Sequence, residues 1–434
     1  MIKYTEPKYD IDYQKLRDLS VKNFAAIQNV TDTSSKESRI SEREKVIVTF
    51  IGTGLGRYSA ILGKRATAGV LISYYPKNKP PYDMLMDPGC RVQERLRELG
   101  YNLADTDVVL FTHAHYDHFQ QKDQILEGAT GAALKRGKIT IISNATCLDG
   151  SPEEIPEITK YQQTFGTVIK LDPYESVTNW EKATVGPYWI EVEAHKSMHG
   201  EVKGTRKVNS YIFKIPTESG KLTYGNISEG PAFKDEKGEW IKEGDQFKLN
   251  KSLFDPFTPC DLLSAEIGPF TCTGHKLWEN HCGYEGAEAI LTYLLKNNSP
   301  VDIFVEKEWG HEMTNIFDQE TRNHFKKLPL KTFSEASAYK AYDTARNLGR
   351  KDVMVIDAVD KTQIVYYPDT REYRIRVPIL ITDPILSIIS MFGRKIFPNP
   401  DLELHDFKGF DNELSSLPIV KEGNTEFIEI DWKK

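Results

Sequence analysis

Apolar residues along this chain fall into short β-branched runs separated by polar turns, with a few stretches of helical period between them. An apolar run of about 4–8 residues bounded by turn signals reads as a buried strand, and apolar residues recurring every three to four positions read as a helix. Strands are therefore expected over residues 45–51, 68–75, 82–86, 107–112, 139–143, 189–194, 210–215, 221–224, 301–307 and 353–356. Helices are expected over 10–29, 91–99, 285–295 and 334–348, and residues 363–376 (QIVYYPDTREYRIR) read as a hairpin. Residues 31–44 (TDTSSKESRISERE) are polar and Ser-rich and read as a linker or exposed loop. Strands interspersed with helices point to α/β layers, with helices packed outside sheets. Near the end of the chain, Asp383-Pro384 caps a strongly apolar helix, 384–393, whose options are docking on the main body, a membrane surface or a dimer contact.

Composition narrows the function classes. The 434 residues are 39% hydrophobic and 27% charged, an ordinary globular balance. The 56 Lys and Arg against 63 Asp and Glu give a formal charge of −7, which argues against coating long DNA through a global basic field. The five cysteines form no CxxC pair, so neither a disulfide framework nor a zinc ribbon is expected, and a reducing, cytoplasmic compartment is. No apolar run approaches the roughly 18 residues of a spanning helix. Gly52-Thr53-Gly54-Leu55-Gly56 lacks the Lys-Ser/Thr ending of a phosphate loop and reads as a tight strand-ending turn in which glycine supplies φ > 0.

The informative segment is Thr112-His113-Ala114-His115-Tyr116-Asp117-His118, which places three of the ten histidines and an aspartate directly after a buried strand. A strand delivers the chain to a sheet edge, and an irregular loop there can aim these side chains inward. Imidazoles with a carboxylate suit Zn²⁺, with Mn²⁺ or Fe as alternatives, as one ion or two.

The spacing of His113, His115, Asp117 and His118 resembles the HxHxDH motif of the metallo-β-lactamase superfamily. Phe50-Ile51-Gly52-Thr53-Gly54 resembles the first-strand motif of its ribonuclease Z branch, and Met86-Asp87-Pro88-Gly89 resembles its strand-ending Asp-x-Gly. The resemblance implies a four-layer αβ/βα sandwich over residues 46–360, with an N-terminal helix and linker over 1–45 and a C-terminal extension over 361–434. It implies a metal at one sheet edge and water-dependent hydrolysis.

The same resemblance extends the ligand set. His199 is favoured as the next ligand, with His195 as the flanking residue of the preceding strand, and Asn226 stands where a bridging aspartate is expected. Glu308 is favoured over His311 as the last ligand, as the first residue past strand 301–307 able to coordinate. One metal would be held by His113, His115 and His199, and a second by Asp117, His118 and Glu308. Asp117 also orients water, His281 is the candidate proton donor to the leaving oxygen, and Glu266 matches the glutamate of a catalytic His-Glu pair whose histidine is here Ala265. The expected function is a metal-dependent phosphodiesterase acting on RNA or a small cyclic nucleotide, as a homodimer. The alternatives are a hydrolase of lactones, thioesters or amides, and a non-catalytic metal or nucleotide sensor. Lys203, Arg206 and Lys207 are candidates to grip phosphate, and Tyr58, Tyr116 and Trp309 to stack on a base.

Overall fold

The computed structural model describes residues 35–54, 66–136, 139–150, 157–198, 207–228, 230, 232–235, 239–268, 282–309, 333–378 and 418–432. The helices expected over 10–29 and 384–393 lie outside them. In chain order the strands are β1 (Lys45–Phe50), β2 (Val70–Tyr75), β3 (Tyr82–Met86), β4 (Thr106–Leu110), β5 (Ile139–Ser143), β6 (Gly166–Lys170), β7 (Trp180–Val185), β8 (Ile190–Lys196), β9 (Asn209–Thr217) and β10 (Gly220–Ile227). They continue as β11 (Lys242–Glu243), β12 (Gln246–Phe247), β13 (Leu262–Gly268), β14 (Ile303–Trp309), β15 (Met354–Asp357), β16 (Thr362–Tyr367), β17 (Glu372–Pro378), β18 (Ile419–Glu422) and β19 (Thr425–Trp432). The helices that shape the core and the site are α1 (Ser35–Ser38), α2 (Val92–Glu98), α3 (Tyr116–Phe119), α4 (Lys122–Arg136), α5 (Ala145–Asp149), α6 (Gly283–Lys296) and α7 (Phe333–Asn347).

Two sheets face one another. The first runs β18-β19-β17-β16-β1-β2-β3-β4-β5-β6 and the second β15-β14-β13-β10-β9-β8-β7. Val48, Phe50, Ile72 and Met84 of the first meet Val192, Phe213, Tyr224 and Val305 of the second in a core between the sheets. Outside the first sheet, Val92 and Leu96 of α2, Ile125 of α4 and Leu148 of α5 cover Leu85, Val109 and Ile141. Outside the second, Ile290 and Leu294 of α6 and Ala341 of α7 cover Leu263, Phe304 and Val355. The result is the expected four-layer αβ/βα sandwich. Strands β2 and β3 are buried at every position. That explains why they read as unbroken apolar runs, since a strand covered on both faces has no polar side to show.

The two halves of the sandwich deliver chain ends to the site in the same way. In the first sheet β3, β4, β5 and β6 run parallel. In the second, β10, β13, β14 and β15 do. Parallel neighbours put their carboxyl ends side by side, and the loops leaving those ends form the crevice where α/β sheets bind ligands.

Three expectations change. Residues 35–44 are not a solvated linker: α1 lays Lys36 against Asp107, and Arg39 against the fully buried Asp83, with Asp105 at 3.8 Å. Burial opposes the Arg39 charge, but Asp83 with Tyr75 and Tyr101 together outweigh it and raise the guanidinium above its ordinary pKa. The first sheet also runs through the expected boundary at residue 360. Strand β16 pairs antiparallel with β1 (Val46↔Tyr366 to Phe50↔Thr362), β17 pairs with β16 as the expected hairpin, and β19 pairs with β17. Finally, Gly52 has no positive φ. A Cβ there would sit 2.0 Å from the Ala68 carbonyl oxygen, so close backbone approach is what requires glycine. Among the described residues, no helix is long and apolar enough to cross a membrane.

Removing the positive partner of a buried carboxylate leaves its charge uncompensated, at a cost of about 3–5 kcal/mol. Arg39→Met should therefore lower unfolding free energy by about 3 kcal/mol in urea titrations, even though residue 39 lies in a polar segment. A loss below about 1 kcal/mol would return this segment to the role of a surface loop.

Candidate metal centre

Strand β3 ends in Asp87-Pro88-Gly89 and β4 ends just before Thr112. Asp87 adopts a left-handed conformation, φ 50°. Such a backbone is uncommon outside glycine, asparagine and aspartate, and here it turns the carboxylate back under the neighbouring strand. Its Oδ1 accepts the Thr112 backbone N–H at 2.8 Å, and its Oδ2 accepts the Thr112 hydroxyl at 2.7 Å. The same Oδ2 lies 3.1 Å from His118 Nδ1.

These contacts assign the ring tautomers. An ionised carboxylate only accepts, so His118 carries its proton on Nδ1. The Thr112 hydroxyl spends its proton on Asp87 and therefore accepts from His113 Nδ1, 3.0 Å away. Each ring is left with a lone pair on Nε2. This is the usual preparation of a histidine for a metal, with the second nitrogen tied back to fix orientation.

The loop itself differs from the irregular turn expected. His115 precedes α3, a single helical turn that carries Asp117 and His118. The His113 ring centre lies 4.6 Å from that of His115 and 4.1 Å from that of His118. Asp117 Oδ2 is 3.8 Å from His118 Nε2. Phe119 stacks on Phe111 with centroids 4.3 Å apart, which pins the turn to the sheet. The Thr67 hydroxyl bridges the two loops, donating to the Asp117 carbonyl and accepting from the Cys90 N–H, both at 2.8 Å. Gly89 permits the approach: a Cβ there would lie 1.8 Å from the Asp117 carbonyl oxygen.

The second sheet contributes Glu266 from β13. Ligand atoms of Asp87, His118 and Glu266 lie within 4.8 Å of one another, and all three residues are buried. Buried imidazoles and carboxylates converging on one point form a donor set that fits a divalent cation. Glu266 Oε1 also accepts from Lys307 Nζ at 2.9 Å, and both side chains are buried.

Other expected residues fall elsewhere. Asn226 is fully buried on β10; its Oδ1 accepts from the Ser264 hydroxyl at 3.0 Å and its Nδ2 donates to Ser228 Oγ at 3.1 Å. His195 lies within β8, which runs past the expected end at residue 194, and it stacks on Trp180 with Nε2 3.5 Å from Glu193. Glu308 does not follow its strand, because β14 continues to Trp309, so the register argument that favoured it loses its premise. His199, His281 and His311 lie outside the described residues, as do Lys203, Arg206 and Tyr58. Lys207 pairs with Asp172 at 2.6 Å and Glu175 at 3.1 Å, and Tyr116 is exposed on α3. Asp87, Thr112 and Lys307 were missing from the candidate set. The strand-ending Asp-x-Gly was the available signal for the first, while Lys307 needed the register of β14 against β13.

Two predictions follow from these contacts. Asp87→Asn keeps the volume but loses the acceptor that orients His118, and such partners typically account for 10–100-fold in metal affinity. Zinc affinity measured by chelator competition should fall by about that factor, and an unchanged value would remove Asp87 from the assembly of the centre. At Glu193, burial opposes the charge, but His195 and Lys214 outweigh it and hold the carboxyl down to about 2 from an ordinary 4.5. A depressed carboxyl stabilises the fold above its unfolded pKa and loses that contribution as pH falls through its folded one. The stability difference between wild type and Glu193→Gln should be full at pH 6 and mostly lost by pH 2 in urea titrations. A difference that stays undiminished at pH 2 would assign the effect to packing.

Comparison with known proteins bears on the fold. A family profile described as a beta-lactamase superfamily domain matches residues 82–245, which includes Asp87 and the whole histidine segment. The uncharacterized protein MJ1374 of Methanocaldococcus jannaschii is 27% identical over 186 residues, spanning 43% of this chain and 62% of that protein. Among solved structures, unliganded yeast PDE1 superposes with a TM-score of 0.50 at 12% identity, over 74% of this chain and 99% of that one. The metallo-beta-lactamase fold protein YhfI of Bacillus subtilis gives 0.45 at 17% identity, over 75% of this chain and 99% of that one.

Proposed function

From the match of residues 82–245 to a beta-lactamase superfamily domain and from the centre described above, we propose that the chain is a metal-dependent hydrolase of the metallo-β-lactamase superfamily whose substrate is a phosphodiester, either RNA or a small cyclic nucleotide. The observation that carries the hydrolase reading is the pair of buried imidazoles, His113 and His118, whose Nδ1 atoms are both tied back through Thr112 and Asp87. A purely structural histidine pair needs no such shared orienting carboxylate. A divalent ion held there would supply Lewis acidity for the hydrolysis.

The chain's own residues supply the rest. His113, His115 and His199 would hold a divalent ion, with His118 and Asp117 completing the centre. Asp117, beside His118 on α3, orients the attacking water and takes up its proton. His281 returns a proton to the leaving oxygen. The phosphodiester preference is supported by the sequence likeness to the ribonuclease Z branch at Phe50-Ile51-Gly52-Thr53-Gly54 and at the segment containing Glu266.

The test is a substrate panel on zinc- and manganese-loaded protein: cyclic nucleotides, RNA, a lactone and a thioester. Phosphodiester turnover is expected, falling by about 10²-fold or more in Asp117→Ala with the fold intact by circular dichroism. Turnover of the lactone or thioester alone would move the chain to another branch of the superfamily. Stoichiometric metal with no turnover of any substrate would leave a sensor. Full activity in Asp117→Ala would remove the assigned role of that carboxylate.

A further inference from the structure

Lys307 is a fully buried lysine at the end of the second sheet, in the crevice rather than on the surface. Strand register explains how it arrives there. Positions 303 and 305 of β14 contribute to the core between the sheets, and side chains two residues apart share a face, so Lys307 continues that row toward the metal centre. Its Cα partner across the parallel ladder is Glu266, and its ammonium lies 2.9 Å from the Glu266 carboxylate. Glu266 is also the carboxylate whose oxygen falls within 4.8 Å of ligand atoms on Asp87 and His118. One carboxylate therefore faces the histidines on one side and a lysine on the other.

We infer that Lys307 acts as a resident cation in this centre, occupying with its ammonium the charge position a second metal ion would fill, so that the site holds a single divalent ion. The inference rests on the metal-binding reading above and goes beyond it. The Glu266–Lys307 pair supports it, because a carboxylate already paired to an ammonium is a poorer donor to a further cation, and a second ion beside the buried ammonium would meet a like charge where uncompensated charge is expensive.

Metal titration of the full chain distinguishes the possibilities, with zinc and then manganese as the probe and elemental analysis and calorimetry as readouts. Wild type should bind one equivalent. Lys307→Met, close in length and without charge, should release Glu266 and bind two equivalents. Adding Glu266→Gln to that variant removes the released carboxylate and should return the count to one. In manganese-loaded samples, a spin-coupled pair should appear in the electron paramagnetic resonance spectrum only in the single variant. Two equivalents in wild type would overturn the inference while leaving the hydrolase reading intact. No bound metal in wild type would overturn both. A folded Lys307→Met variant that still binds one ion would overturn the role of Lys307. If that variant fails to fold, the wild-type count decides between one ion and two, and the double variant, which leaves no unpaired charge, reports whether loss of the pair alone preserves the remaining ion.

Discussion

The carboxylate of Asp87 is the constraint on which the centre depends. A buried carboxylate is costly unless its oxygens are occupied by donors, and Asp87 occupies its own with the Thr112 backbone, the Thr112 hydroxyl and His118 Nδ1. Those three contacts join the end of β3 to the loop after β4. They also set the tautomers of two histidines at once, one directly and one through the threonine. The left-handed backbone at Asp87 and the cramped approach at Gly89 are local strains that the joined loops hold in place.

The same edge is tied to the second sheet through backbone carbonyls. Tyr211 of β9 donates its hydroxyl to the Phe111 carbonyl at 2.9 Å, and the Asn209 N–H reaches the Thr112 carbonyl at 3.0 Å. Asn144 donates to that carbonyl as well, at 3.0 Å, and to the Lys207 carbonyl at 2.8 Å. The chain just before the histidines is thus fixed from both sheets, and motion of one sheet relative to the other would cost these bonds together. At the opposite side of the loop, Asp360 accepts from Thr53 N–H and hydroxyl, Ala66 N–H and Arg95, holding the glycine-bearing turn after β1.

What the sequence made legible divides along physical lines. Local signals survived: β3 and β5 have their expected bounds, the helices α2, α6 and α7 lie within two residues of theirs, and the histidine segment is at the end of its strand. Features that depend on distant partners were not legible. Lys36 and Arg39 look like solvated residues in a Ser-rich stretch until Asp107 and Asp83 are seen beneath them. Residues 419–432 carry no local mark of joining β17 beside the first sheet. Helix α4 contains two glycines and few large apolar residues, so its period is weak in sequence although Ile125 and Leu126 are buried. At the site, residue type was enough to find the histidines. Strand register was needed to see that Lys307, and not the residue after it, stands across from Glu266.

The two sheets contribute unequally to the centre, and the inequality has a common physical cause. The first sheet presents the imidazoles and carboxylates of the histidine segment and of Asp87, a donor set suited to a cation. The second presents groups that already satisfy one another. Asn226, standing where a carboxylate is expected, gives its oxygen to Ser264 and its nitrogen to Ser228, and Tyr224 shares the Ser264 hydroxyl at 2.8 Å. Glu266, two residues beyond Ser264 on β13, closes on Lys307 of β14. Replacing an anionic ligand by a neutral amide and adding an ammonium both move this half of the crevice toward positive potential. Neutral hydrogen-bonded pairs do not change partners for a weakly held ion when doing so would strand a buried serine or amide. The second sheet therefore acts as a compensated wall against which the donors of the first are arranged.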